Sequence, residues 1–115
     1  MPREEKSLQF LDKIKTDNLY PKLLEQLNKD FRFSGIPDEI ESTVKANELQ
    51  NRLITIIYNL INRNFADYLN LLYRIDISES EIKKLDGSDI EKLSVQVSKQ
   101  ILKRECQKVW LRNRL

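Results

Sequence analysis

Six cations crowd the last seventeen residues of this 115-residue chain: Lys99, Lys103, Arg104, Lys108, Arg112 and Arg114, opposed by Glu105 alone. The segment carries +5, the rest of the chain −3, and the whole only +2. Arg104, Lys108 and Arg112 recur every four residues, so on a helix they share one face, with Lys103 and Trp110 close by. Cations that track phosphates, with an aromatic ring on which a base can stack, are what a nucleic-acid surface needs. The same residues, Lys103, Arg104, Lys108, Trp110 and Arg112, could instead dock an acidic protein. The competing explanation requires no partner and is favoured: cations suit helix C-termini, and tryptophan often covers the edge of a core.

Other chemistry is conspicuous by composition. There is no histidine, which removes the commonest general base and the commonest zinc ligand. One cysteine, Cys106, allows neither a thiol pair nor an ordinary zinc site, and on the apolar stripe of the last helix it reads as a small core residue. Two glycines, Gly35 and Gly87, cannot build a phosphate-cradling loop. A di-iron bundle needs Glu-x-x-His pairs. The acids of 38–41 and 79–81 read as helix-start residues that complement the helix dipole. The expectation is therefore a non-enzymatic protein with no cofactor and no metal.

The elements that must position these residues are helices. Glycine and proline total five, too few for the turns of a β protein. Leu8, Leu11 and Ile14 mark a helix over 7–15. Asp17 or Asn18 can cap a second over 19–30, with Pro21 in its first turn, where a missing N–H costs nothing. The segment 31–37 holds both Gly35 and Pro37 and reads as an ordered loop. Val44, Leu49, Leu53, Ile56, Leu60 and Ile61 then trace one face of a long central helix over 38–64. Residues 53–58 are β-branched enough to suggest a strand, but no turn signal flanks them. Glu48 with Arg52, and Arg63 with Asp67, stand four apart as helix ion pairs do. Arg74 is assigned to Asp76.

A bend at 62–64 precedes a helix over 65–75. Ser78 with Glu81, and Ser88 with Glu91, are spaced as capping boxes and open helices over 79–85 and 89–113. The rings of Tyr58, Tyr68 and Tyr73 are expected in the core. Asn59 and Asn62 are expected at the surface.

At 40% hydrophobic and 33% charged, the chain has the composition of one water-soluble globular domain. The first six residues are too charged for an export signal, and the longest apolar run is far shorter than the roughly 20 residues of a membrane span. With its single thiol, the chain suits the cytoplasm. The strings Leu71-Leu72-Tyr73-Arg74-Ile75-Asp76-Ile77-Ser78-Glu79 and Gln100-Ile101-Leu102-Lys103-Arg104-Glu105 resemble segments of small bacterial proteins of unknown function. The resemblance covers the C-terminal half and implies a small helical cytoplasmic protein, with no site residues to carry over.

The sequence thus predicts an all-α, single-domain bundle of four to six helices around a long central one. Because apolar residues lie on more than one side of two helices, the expected role is a protein–protein interaction module, homodimeric or bound to another protein. The alternative is a nucleic-acid-binding accessory protein using the basic end of the last helix. No membrane partner is expected.

Overall fold

The computed structural model of the chain describes residues 9–85 and 87–114, apart from the side chains of Glu79 and Arg114. The described residues form six helices and no strand: α1 (Gln9–Thr16), α2 (Tyr20–Phe33), α3 (Ala46–Arg63), α4 (Phe65–Ile75), α5 (Glu79–Lys83) and α6 (Ile90–Arg114). The start of the first helix expected from sequence lies outside the described residues. Leu53, Ile56 and Ile57 are buried on α3, so the β-branched run is helical, as its surroundings required.

α3 and α6 form the principal pair, and α1, α2 and α4 pack on α6 around them. One core joins all the layers: Leu11 and Ile14 of α1, Leu23, Leu27 and Phe31 of α2, Leu49 to Leu60 of α3, Leu71 and Ile75 of α4, and Val97 to Val109 of α6. α3 is central but not enclosed, because Thr55, Tyr58 and Asn59 remain exposed.

Two helix boundaries differ from expectation. α2 continues to Phe33 because Asp30 and Phe31 are both buried, and it stops only where Gly35 adopts a left-handed φ of 81°. Its N-cap is Leu19, which makes no side-chain cap, and Asn18 instead takes a positive φ in the preceding turn. Pro21 does lie in the first turn.

The larger difference is that residues 38–45 are not helical. Ile36 and Ile40 enter the core from an irregular strap across the bundle. Asn28 of α2 clamps that strap through both amide atoms: its Nδ2 donates to Ile40 O at 2.9 Å, and its Oδ1 accepts from Ile40 N at 2.8 Å. Tyr20 donates its hydroxyl to Val44 O at 2.6 Å. These tertiary bonds replace the helical bonds that the periodicity implied, so Asp38, Glu39 and Glu41 are not first-turn acids.

The bend at 62–64 is a full break. Asn64 caps α4, accepting from Asp67 N, and so separates α3 from α4. Asp89 caps α6, its carboxylate accepting from the N–H groups of Glu91 and Lys92. Ser78 caps α5 as expected, accepting from Glu81 N.

Candidate interaction surface and the buried charge cluster

Lys108, in the middle of the basic face of α6, turns inward. Lys108 Nζ lies 3.1 Å from Asp30 Oδ2 and 3.0 Å from Glu105 Oε1. Arg74 of α4 reaches the other oxygen of Asp30 at 3.3 Å, and its guanidinium stacks 4.5 Å from the centre of the Phe33 ring. Gln26 donates to Asp30 Oδ2 at 3.1 Å and accepts from Arg112 at 3.1 Å. Arg104 meets Asp76 at 3.5 Å. α2, α4 and α6 are therefore tied together at one polar cluster.

Its two acids are 1% (Asp30) and 0% (Glu105) exposed. Burial raises the pKa of Asp30, but hydrogen bonds with Glu105, Gln26 and Lys108 and the charge of Lys108 outweigh it, so its carboxyl is held below the ordinary 3.8. For Glu105 burial is again the largest influence, and here the neighbouring Asp30 adds to it. Together they overcome Lys108 and push the group up to about 9. Lys108 Nζ stands 3.0 Å from Glu105 Oε1, while Oε2 has no hydrogen-bond partner. A raised pKa favours the protonated form of Glu105, and a neutral carboxyl can donate where a carboxylate can only accept.

Of the five cationic and aromatic residues singled out in the sequence, the structure brings Lys108 and Arg112 onto the buried Asp30 and Gln26, pairs Arg104 with the exposed Asp76, and leaves Lys103 exposed. Trp110 stands apart from the cluster. With Leu19 and Leu111 it lines a concavity of about 590 Å³ between α1 and α6, its indole Nε1 buried without a partner. Cys106 is fully buried, its thiol pushed up to about 12 by burial and the charge of Glu105, which makes it a poor nucleophile. Among the described residues, no group of three or more His, Cys, Asp or Glu side chains is arranged to hold a metal ion. No helix of the described chain is long and apolar enough to cross a membrane.

Sequence reasoning missed this cluster, although it left a trace. Asp30 sits on the same face as Leu23 and Leu27, and Glu105 on the stripe of Leu102, Cys106 and Val109. An acid at an apolar position of the helical period is the legible sign of a buried charge. The expected local ion pairs are also replaced: Arg52 pairs with Glu41, Arg74 with Asp30, and Asp67 bonds to Asn64.

The outer surface of α4 is the second distinctive feature. Phe65, Leu69 and Tyr73 recur every four residues and are 52%, 48% and 90% exposed. Tyr73 is therefore not a core residue, and Tyr58 is 39% exposed, whereas Tyr68 is buried as expected. At 100° per residue, the apolar arc of α4 runs from Leu71 through Ile75, Tyr68, Leu72, Phe65 and Leu69 to Tyr73, about 200° in all. The bundle covers only its first half. The uncovered half, Phe65, Leu69 and Tyr73, is flanked by Ala66 and Asn70 and includes no charge, and Asp67 and Arg74 lie farther round the helix. The Phe65 ring rests 5.2 Å from that of Tyr68, which fixes it against the body of the protein.

No protein-family model, curated protein or solved structure matches the chain.

Proposed function

We propose that this chain is a non-enzymatic protein–protein interaction module that docks through the outer face of α4. The observation that carries this reading is the exposed row Phe65, Leu69 and Tyr73. Single exposed apolar residues are ordinary, but three in register on one helix, with no charge among them, form a contiguous patch of the kind that proteins cover with a partner. Aromatic residues at its two ends are the type that dominates binding energy at interfaces. The buried cluster of Asp30, Glu105 and Lys108 supports the role indirectly, because it anchors α4 through Arg74 and presents the row on a rigid element. The setting we propose is the cytoplasm, where a single buried thiol needs no oxidising environment.

Photocrosslinking in the source cell tests the reading. A benzophenone amino acid is placed at Leu69, at Tyr73, or at Lys92 on the exposed side of α6. Protein adducts from positions 69 and 73 and none from 92 are the expected result. Equal yields at all three positions, or no adduct at any, would discard it.

A further inference from the structure

We infer that the cleft between α2 and α6 is a binding site for a phosphoryl group, as free phosphate or as the end of a phosphomonoester, held by Lys22, Lys29 and Arg112. The site shares no residue with the outer face of α4 and stands apart from the docking proposed above.

One stripe from each helix makes the cleft. Lys22, Glu25, Gln26 and Lys29 follow one another at helical spacing on α2, and Val109 and Arg112 do so on α6. The enclosed volume is about 200 Å³, below the roughly 300–1,000 Å³ of pockets that take up a whole drug-sized ligand. It fits a small charged head and leaves the rest of any larger ligand in solvent.

Charge sets the class of ligand. Three cations and one acid, Glu25, line the cleft, 3 − 1 = +2. Among the described residues none of the three cations has an ion-pair partner, although Lys29 is partly buried, and a desolvated charge is costly until a counter-charge meets it. Asp30, the next residue in the chain, is engaged by Lys108, Arg74 and Gln26 instead.

Arg112 is held ready. Its guanidinium donates to Gln26 Oε1 at 3.1 Å, and Gln26, only 7% exposed, donates its own amide to Asp30 Oδ2 at 3.1 Å. The buried acid thereby fixes the amide, and the amide fixes the arginine. The other N–H groups of Arg112 have no partner among the described residues, and a planar fork of donors is what lets arginine grip phosphate oxygens. Lys22 and Lys29 stand seven residues apart, about 10 Å along α2, so the cleft has a cation toward each end of that wall. Cations arriving from two helices suit a tetrahedral dianion better than a flat, singly charged carboxylate, and a phosphoryl group carries about −1.5 to −2 at neutral pH. Because Lys22 and Arg112 are exposed, salt weakens the binding.

The test uses the whole chain, labelled with nitrogen-15 and titrated separately with inorganic phosphate, phenyl phosphate and acetate at low salt and neutral pH. NMR resonances of the Lys29 amide and the Arg112 side chain should shift saturably with both phosphoryl compounds and stay in place with acetate at equal concentration. Lys29→Gln and Arg112→Gln, each with an unchanged circular dichroism spectrum, should weaken binding about tenfold, as loss of one charge-assisted contact does. Glu25→Gln removes the acid that lines the cleft and should tighten binding, whereas Lys103→Gln should leave it as it was. Given that pattern, tighter binding of phenyl phosphate assigns the site to an ester, and tighter binding of inorganic phosphate assigns it to the free ion. Absence of saturation with both compounds, an equal response to acetate, or affinity that survives both Lys29→Gln and Arg112→Gln would overturn the site, as would weaker binding in Glu25→Gln.

Discussion

Lys108 Nζ lies 3.1 Å from Asp30 Oδ2, joining α6 to α2 across 78 residues of chain. Around that contact hydrogen bonds and Lys108 lower the pKa of Asp30, while burial and Asp30 raise that of Glu105, so the two carboxyls respond to pH in opposite directions. The folded state binds the Glu105 proton more tightly than the unfolded state, whose Glu105 has the ordinary value of 4.5. Its contribution is fully present below that value and is lost as pH rises through about 9. Asp30, held below 3.8, contributes above that value and loses its contribution as pH falls through its lowered pKa. Stability should therefore peak at about pH 4–5 and decline steadily into the alkaline range. Thermal melts from pH 3 to 10 measure this, and a flat profile from 5 to 9 would contradict the raised pKa of Glu105.

Glu105→Gln should remove the alkaline decline. An amide of the same shape keeps a donor toward Asp30 and has no proton to lose. At pH 8–9 the variant should melt higher than wild type, each kcal/mol being about 4–8 °C for a domain of this size. At pH 5 the two should be nearly equal.

Asp30→Ala should be the most damaging of the single truncations in the cluster. It strands Lys108 and Arg74, and removing one partner of a buried ion pair costs about 3–5 kcal/mol. Glu105 can then ionise opposite Lys108, which draws the loss toward the lower figure. Urea unfolding at pH 7 gives the value, and a loss under 1 kcal/mol would mean that the cluster is not coupled as the distances imply.

Charge reversal separates the inward-facing Lys108 from the exposed Lys103. Lys108→Glu would place a third acid beside Asp30 and Glu105 and should prevent stable folding. Lys103→Glu, at an exposed position, should change stability by no more than about 0.5 kcal/mol. Nucleic-acid affinity that falls steeply with salt and is abolished by Lys103→Glu would instead revive the basic-surface reading.

Gly35→Ala tests the end of α2. A methyl group there would meet Asp67 Oδ1 at 3.7 Å, an ordinary contact, so any cost comes from the backbone. Holding a non-glycine residue at φ 81° should lower stability by about 1 kcal/mol. An unchanged melting temperature would show that the turn relaxes.

The sequence by itself determined that the chain is helical and where most helices lie. The periodic Leu and Ile positions of α2, α3 and α6, Pro21 in a first turn, the Ser78 cap and the shortage of glycine are all local signals, and the forces behind them act within a few residues. Only the tertiary structure decided the strap of residues 38–45, where Asn28 and Tyr20 supply from a distance the bonds that a helix would have supplied locally. It also decided the fate of the charges. A helical wheel shows that Arg104, Lys108 and Arg112 share a face, but not whether water or Asp30 lies opposite, because Asp30 is 78 residues away in the chain. For the same physical reason Tyr73 and Tyr68 look alike in sequence and differ in burial: which half of the apolar arc of α4 is covered depends on where the other helices pack.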